Sequence, residues 1–173
     1  EMRRFRFAVK WFWLPLRLAF GLFRPRRRIL GGYFSGHVVA LGSEVQGFSV
    51  GDAVYGSSGL KLGGYGEFLA VSARATIVPK PASMSHAQAS AVPLGGLNAL
   101  HFMNLAALER GQSILINGAA GSIGAHAVQI ARSRGAQVVA VDAEHKRDFI
   151  MALGADRFID YQTEGLAAIR KPF

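Results

Sequence analysis

No cysteine occurs anywhere in the 173 residues, which excludes disulfides and any zinc or iron–sulfur centre held by thiolates. The same absence gives no argument for secretion. Charge is also sparse, at 18% of residues against about 25% in an average soluble chain. Hydrophobic residues make up 50%, with 21 glycines and no low-complexity tract, so the chain can bury a real core and is not a disordered one. A long apolar run is missing too. Trp11 to Phe23 spans 13 residues and contains Arg17, short of the roughly 20 that a membrane-spanning helix needs. No integral membrane segment is expected.

Acidic residues are nearly absent from one end. Residues 1–28 hold nine basic groups and one acid, Glu1, for a net +8, while residues 29–173 carry only +1. The charge therefore belongs to one segment. Its Phe5, Phe7, Trp11, Trp13, Phe20 and Phe23 suit it to an anionic membrane surface or to phosphate. Pro15 and Arg17 interrupt the apolar part and no small-residue cleavage site follows, against a signal peptide. Opening on Glu1 rather than Met, the segment also reads as a solvated, partly buried piece of an enzyme whose earlier residues are missing. The near-neutral remainder argues against a nucleic-acid partner. A cytoplasmic location and a small-molecule substrate are expected.

Past that segment the pattern has two halves. GHVVALG (36–42) reads as a strand, SVGDAVYG (49–56) as a turn and strand, and GEFLAVSA (66–73) and ATIVPK (75–80) as two more. Short, closely spaced strands predict a compact barrel or sandwich. From residue 84 the period changes. Ser85 can cap a helix over 86–92 that ends at Pro93, and a second helix is expected over 95–108. SILIN (113–117), a helix over 122–134, QVVAV (137–141), a helix over 144–153 and RFID (157–160) then alternate. That alternation predicts an α/β fold with a parallel sheet. No internal repeat is present.

The sharpest chemistry lies between SILIN and the next helix, in Gly118-Ala119-Ala120-Gly121-Ser122-Ile123-Gly124. A glycine motif in a strand–turn–helix context points to a dinucleotide site. Gly121 lets backbone approach a pyrophosphate, Gly124 lets the helix pack on the strand, and free N–H groups with the helix dipole face the anion. Ala119 takes the first glycine position of the usual pattern. The alternative is a turn that needs its glycines only for packing. No Walker lysine follows, so a P-loop nucleotidase is not expected. Asp142 closes QVVAV 18 residues beyond Gly124, near the spacing of about 20 at which an acid reads the adenosine ribose. It would accept from a free 2′-hydroxyl and repel a 2′-phosphate, although Lys146 and Arg147 could pair with that phosphate. Alternatively Asp142 merely caps the next helix. The pattern leans weakly to NADH over NADPH.

Taken together, ILGGYFSGHVVALGSEV (29–45), FSVGDAVYG (48–56), GGYGEFLAV (63–71), ASAVPLGGLNALHFM (89–103), residues 113–141 and LGADRFIDY (153–161) resemble the zinc-independent medium-chain dehydrogenases/reductases of the quinone oxidoreductase-like branch. The resemblance covers roughly residues 15–165. It implies a partial GroES-like β-rich catalytic domain with a basic arm over 1–94, and a partial Rossmann (doubly wound parallel sheet) domain over 95–173. It also implies NAD(P)H as cofactor and hydride transfer to a carbonyl, enone or quinone. By the same resemblance Ala119, Ala120, Gly121, Ser122, Ile123 and Gly124 form the pyrophosphate turn. Lys146 and Tyr161 match positions holding the adenosine phosphate end in NADPH-using members, and Asp142 matches the acid of NAD-using ones. Asn98 stands where a threonine near the nicotinamide is usual.

The departures are as informative. Gly32 takes the place of the zinc-ligating histidine of the alcohol dehydrogenases, and Tyr33 that of the carboxylate after it. His37, His86, His101, His126 and His145 show no ligand spacing, so no metal is expected. Tyr65 is a possible proton donor, although GGYGEF reads more simply as a glycine-rich strand entry, and no general acid is assigned. Relative to the family, strands are missing in front and the second half of the Rossmann sheet behind. The full-length form is expected to be a homo-oligomer. Two rival readings stand beside the reductase: a non-catalytic dinucleotide-binding module, and a protein that binds membranes or nucleic acid through residues 1–28.

Overall fold

The computed structural model describes Leu18 and residues 28–164. The rest of the basic aromatic segment, and residues 165–173, lie outside the described residues, as do the membrane and phosphate readings of that segment. Two compact units divide between Ser90 and Ala91. No helix among the described residues is long and apolar enough to cross a membrane.

In the first unit β1 (Tyr33–His37), β2 (Ala53–Ser57) and β3 (Thr76–Pro79) form an antiparallel sheet in that order. Tyr33 stands opposite Ser57, His37 opposite Ala53 and Val54 opposite Pro79. The turn into β2 forms as its pattern predicts. Ser49 N–H donates to Asp52 Oδ2 (2.8 Å) and Asp52 N–H to Ser49 O (3.1 Å). Pro79 has no N–H to give and sits on an edge strand, where that loss is tolerated.

Two strand expectations are corrected. The first strand runs over 33–37 rather than 36–42. Its partner β2 starts only at Ala53, and the pairing ends with bonds from Val38 N–H to Asp52 O and from Gly51 N–H to Val38 O. GEFLAVSA forms no strand. Its alternation finds no neighbouring strand among the described residues, and Phe68 stands 74% exposed.

The two helices predicted on either side of Pro93 are one helix, α1 (His86–Leu105). Proline removes a single donor, the one that would bond Ala89 O, and α1 runs on because Ala99 and Met103 beyond it are buried in the second unit's core. Its start is a capping box. Gln88 N–H donates to Ser85 Oγ (3.2 Å) and Ser85 N–H to Gln88 Oε1 (2.9 Å). At its other end Arg134 donates to Met103 O (2.8 Å), satisfying an orphan carbonyl of the last turn.

The second unit follows the alternation. β4 (Ser113–Asn117), α2 (Ser122–Ser133), β5 (Gln137–Asp142), α3 (Arg147–Ala152) and β6 (Arg157–Asp160) build a parallel sheet in order β4-β5-β6. The helix expected from 144 opens instead as a 3-10 turn, Glu144–Lys146, before α3. β5 is covered on both faces, which is why it reads as an unbroken apolar run. Val138 and Ala140 pack with Val128, Ile150 and Phe158, while Val139 and Val141 pack with Ile159 on the other side.

α1 and α2 approach closely. A Cβ on Gly95 would overlap the carbonyl and hydroxyl oxygens of Ser122 and lie 2.5 Å from His126 Nδ1. A glycine within a helix costs about 1 kcal/mol relative to alanine, so the close crossing explains its presence. Gly95→Ala is expected to lower the urea midpoint, because overpacking strain of about 1–3 kcal/mol against backbone exceeds the helix-propensity gain. A midpoint that stays or rises would show that the helices separate freely.

Candidate nucleotide site

The turn between β4 and α2 is shaped by backbone contacts. Gly118 (φ 72°) and Ala119 both donate from N–H to Val141 O, at 2.9 and 3.2 Å, tying the turn to the end of β5. Gly121 N–H closes on Gly118 O at 2.9 Å. Gly124 has no room for a side chain, since a Cβ there would overlap Gly118 O and stand 2.7 Å from Ala119 Cα. Gly121 is the N-cap residue of α2 and brings no capping side chain. The first N–H groups of the helix have no intrahelical acceptor, and among the described residues no side chain caps them. They are free to meet an anion.

A cavity of about 620 Å³ opens beside this turn within the second unit. Leu94, Phe102 and Met103 of α1, residues 114–117 of β4, and Gly118, Gly121, Ser122, Ile123 and Gly124 line it. Among the described residues the wall is apolar apart from backbone, Asn117 and Ser122, and it holds no lysine or arginine.

Asp142 is buried at 5% exposure, and both its oxygens are engaged. Oδ2 accepts from Ala120 N–H (2.9 Å), which fastens the glycine-rich turn to β5 from a second side. Oδ1 accepts from Ala143 N–H (2.9 Å) and from Lys146 Nζ (2.8 Å). Burial alone would raise its pKa, but the Lys146 ammonium and the two backbone donors outweigh it and hold the carboxyl below its ordinary value.

The structure thus brings together Ala119, Ala120, Gly121, Ser122, Ile123, Gly124, Asp142 and Lys146. Tyr161 joins them at the strand ends, its N–H bonded to Asp142 O (3.4 Å) and its ring half exposed. Asn98 does not line the cavity, and its amide donates back to Leu94 O (2.7 Å) on its own helix. Asp160 was not singled out in the sequence. It pairs in register with Asp142, is equally buried, and accepts from Gln162 N–H and Thr163 Oγ1. Gly95 and His126, which seat α2 against α1, were also missed because a helical glycine gives no sign of what it packs on.

A β-rich unit followed in the chain by a parallel-sheet unit with this turn defines the class of the medium-chain dehydrogenases/reductases. Residues 16–82 match the alcohol dehydrogenase GroES-like domain, and residues 122–172 match a zinc-binding dehydrogenase model. The chloroplast envelope quinone oxidoreductase homolog of Arabidopsis thaliana is 37% identical over 145 residues, covering 80% of this chain and 44% of that one. The quinone oxidoreductase from Coxiella burnetii superposes with a TM-score of 0.75 at 36% identity, covering 83% of this chain and 46% of the other. The CurK enoyl reductase gives 0.75 at 30% identity, covering 90% and 47%. The chain belongs to the zinc-independent, quinone oxidoreductase-like branch of the family, and spans less than half the length of these relatives.

The histidine with which zinc-using relatives hold their catalytic metal has no counterpart at Gly32, and among the described residues no group of three or more His, Cys, Asp or Glu side chains is gathered. Gly32 has no ligating side chain, and its carbonyl is taken by Ser57 Oγ and Ser58 N–H. Asp142→Asn is expected to lose about 1.5–3 kcal/mol at neutral pH, the worth of buried bonds to a charged group. Because the folded pKa is depressed, that contribution is complete above the unfolded value near 3.9 and disappears as pH falls through the folded one. Urea unfolding of both proteins across that range checks it; a gap that widens on acidification has the wrong sign.

Proposed function

We propose that the chain is the nucleotide-binding part of an NAD(P)H-dependent oxidoreductase that reduces a conjugated enone or a quinone. The observation that carries this reading is the uncapped start of α2, held against β5 through Gly118, Ala119 and Ala120, with open backbone donors at the mouth of an apolar cavity. A nicotinamide dinucleotide bound there supplies the hydride. Gly121, Ser122, Ile123 and Gly124 would hold its pyrophosphate, while Asp142, Lys146 and Tyr161 stand at the adenosine end.

The acceptor class follows from what the chain lacks. With glycine where zinc-using relatives place a histidine, an acceptor that delocalises its own oxyanion suits the site better than a simple carbonyl. Relatives named for quinone and enoyl reduction support the same choice. Between the two cofactors NADH is favoured. What supports this is that Lys146 is already paired with Asp142, so its ammonium is not free for a 2′-phosphate.

Titration of the purified chain by nicotinamide fluorescence tests the reading. Saturable NADH binding, tighter than that of NADPH, is expected, and Gly121→Asp should abolish it by placing a carboxylate where the pyrophosphate sits. Folded protein that binds neither nucleotide overturns the proposal. Binding without quinone- or enone-dependent oxidation of NADH, in the chain joined to the remainder of its protein, makes the protein a nucleotide-binding module instead.

A further inference from the structure

In the first unit the fold gathers three side chains that no motif connects. Ser35 and His37 lie two residues apart on one face of β1, and His86 is the first residue of α1. Ser35 Oγ donates to Val54 O at 3.0 Å and lies 2.8 Å from His86 Nδ1. A hydroxyl has one hydrogen, and here Val54 receives it. The proton of the second bond therefore sits on His86 Nδ1, and Nε2 is left with a free lone pair. The His37 ring is exposed and stands 4.7 Å from the His86 ring, centroid to centroid, at an interplanar angle of 60°.

We propose that His37 and His86 together bind one late first-row divalent transition-metal ion, with water in its remaining positions. Imidazole is the ligand type that suits zinc, copper and nickel. With imidazole nitrogens about 2.0–2.1 Å from a metal, rings whose centroids are 4.7 Å apart can share one ion once the exposed His37 ring turns a nitrogen toward it. Ser35 supplies what a ligating histidine usually has: an acceptor on its other nitrogen that sets tautomer and ring orientation. Burial, then His37, then Lys80 each disfavour the His86 imidazolium and lower its pKa. Among the described residues Lys80 is the opposing cation, and its ammonium is turned to the carbonyls of Pro81 and Met84. The expectation of no metal rested on spacing along the chain, and these two histidines are 49 residues apart. Among the described residues no third His, Cys, Asp or Glu joins them, so affinity in the micromolar range is expected.

Calorimetric titration of the full chain with Zn²⁺ at neutral pH decides it. One ion per chain is expected, weakened at least tenfold by His37→Ala and by His86→Gln, about tenfold by Ser35→Ala, and unchanged by His101→Ala. Cu²⁺ in place of Zn²⁺ should show paramagnetic-resonance splitting from two imidazole nitrogens, falling to one in His37→Ala. No saturable binding by the unsubstituted chain overturns the site, as does affinity that survives His37→Ala. His37 is exposed, so that variant decides the matter even if His86→Gln fails to fold.

Discussion

The second unit depends on one buried carboxylate. Asp142 ends β5 and binds, through two oxygens, the backbone of the glycine-rich turn, the backbone that leaves its own strand, and the Lys146 ammonium. A carboxylate taken from water is costly unless its lone pairs are met, and here three donors meet them. The result is a turn clamped on two sides, by Val141 O on Gly118 and Ala119 and by Asp142 on Ala120. A residue at the end of the second Rossmann strand is usually discussed for what it offers a ligand. In this chain it first determines where the N–H groups of the turn and helix point.

Small residues carry that constraint into the packing. Gly124 lets α2 rest on Gly118 and Ala119, and Gly95 lets α1 rest on Ser122 at the start of α2. Ala127 and Ala131 then face the sheet core further along the helix. The N-terminus of α2 is thereby held by strand, turn and helix at once. Its N–H groups are directed before any ligand arrives, which would lower the ordering cost of the proposed binding.

The parallel half was legible in the sequence because its signals are local and strong. β5 is covered on both faces and reads as a continuous apolar run, and the turn after β4 carries glycines in a strand–helix context. The antiparallel half was less so. A strand's ends are set by its partner, and GEFLAVSA alternates like a strand while finding nothing to pair with among the described residues. Pro93 misled for a similar reason: its local rule predicts a break, but buried Ala99 and Met103 beyond it hold the helix together. Asp142 was found by position, while its engagement with Ala120 was not, because no spacing rule relates a carboxylate to a backbone N–H 22 residues earlier. The His37–His86 pair was invisible for the same reason, being the product of sheet register and one capped helix start.

Electrostatics closes the argument about the nucleotide site. The chain carries +9 overall, yet +8 of it lies in residues 1–28, and among the described residues no lysine or arginine lines the cavity beside the turn. The nearby Lys146 is largely neutralised by Asp142. Among the described residues, what a pyrophosphate would meet there is backbone N–H groups and the dipole of α2, worth about half an elementary charge at its end. Such an interaction depends steeply on direction and weakly on bulk salt, since fixed donors at hydrogen-bond distance are little screened. A site of that kind works only if its backbone does not move. That is why the carboxylate clamp at Asp142 and the side-chain-free contacts at Gly95 and Gly124 matter more to it than any single group that would touch the ligand.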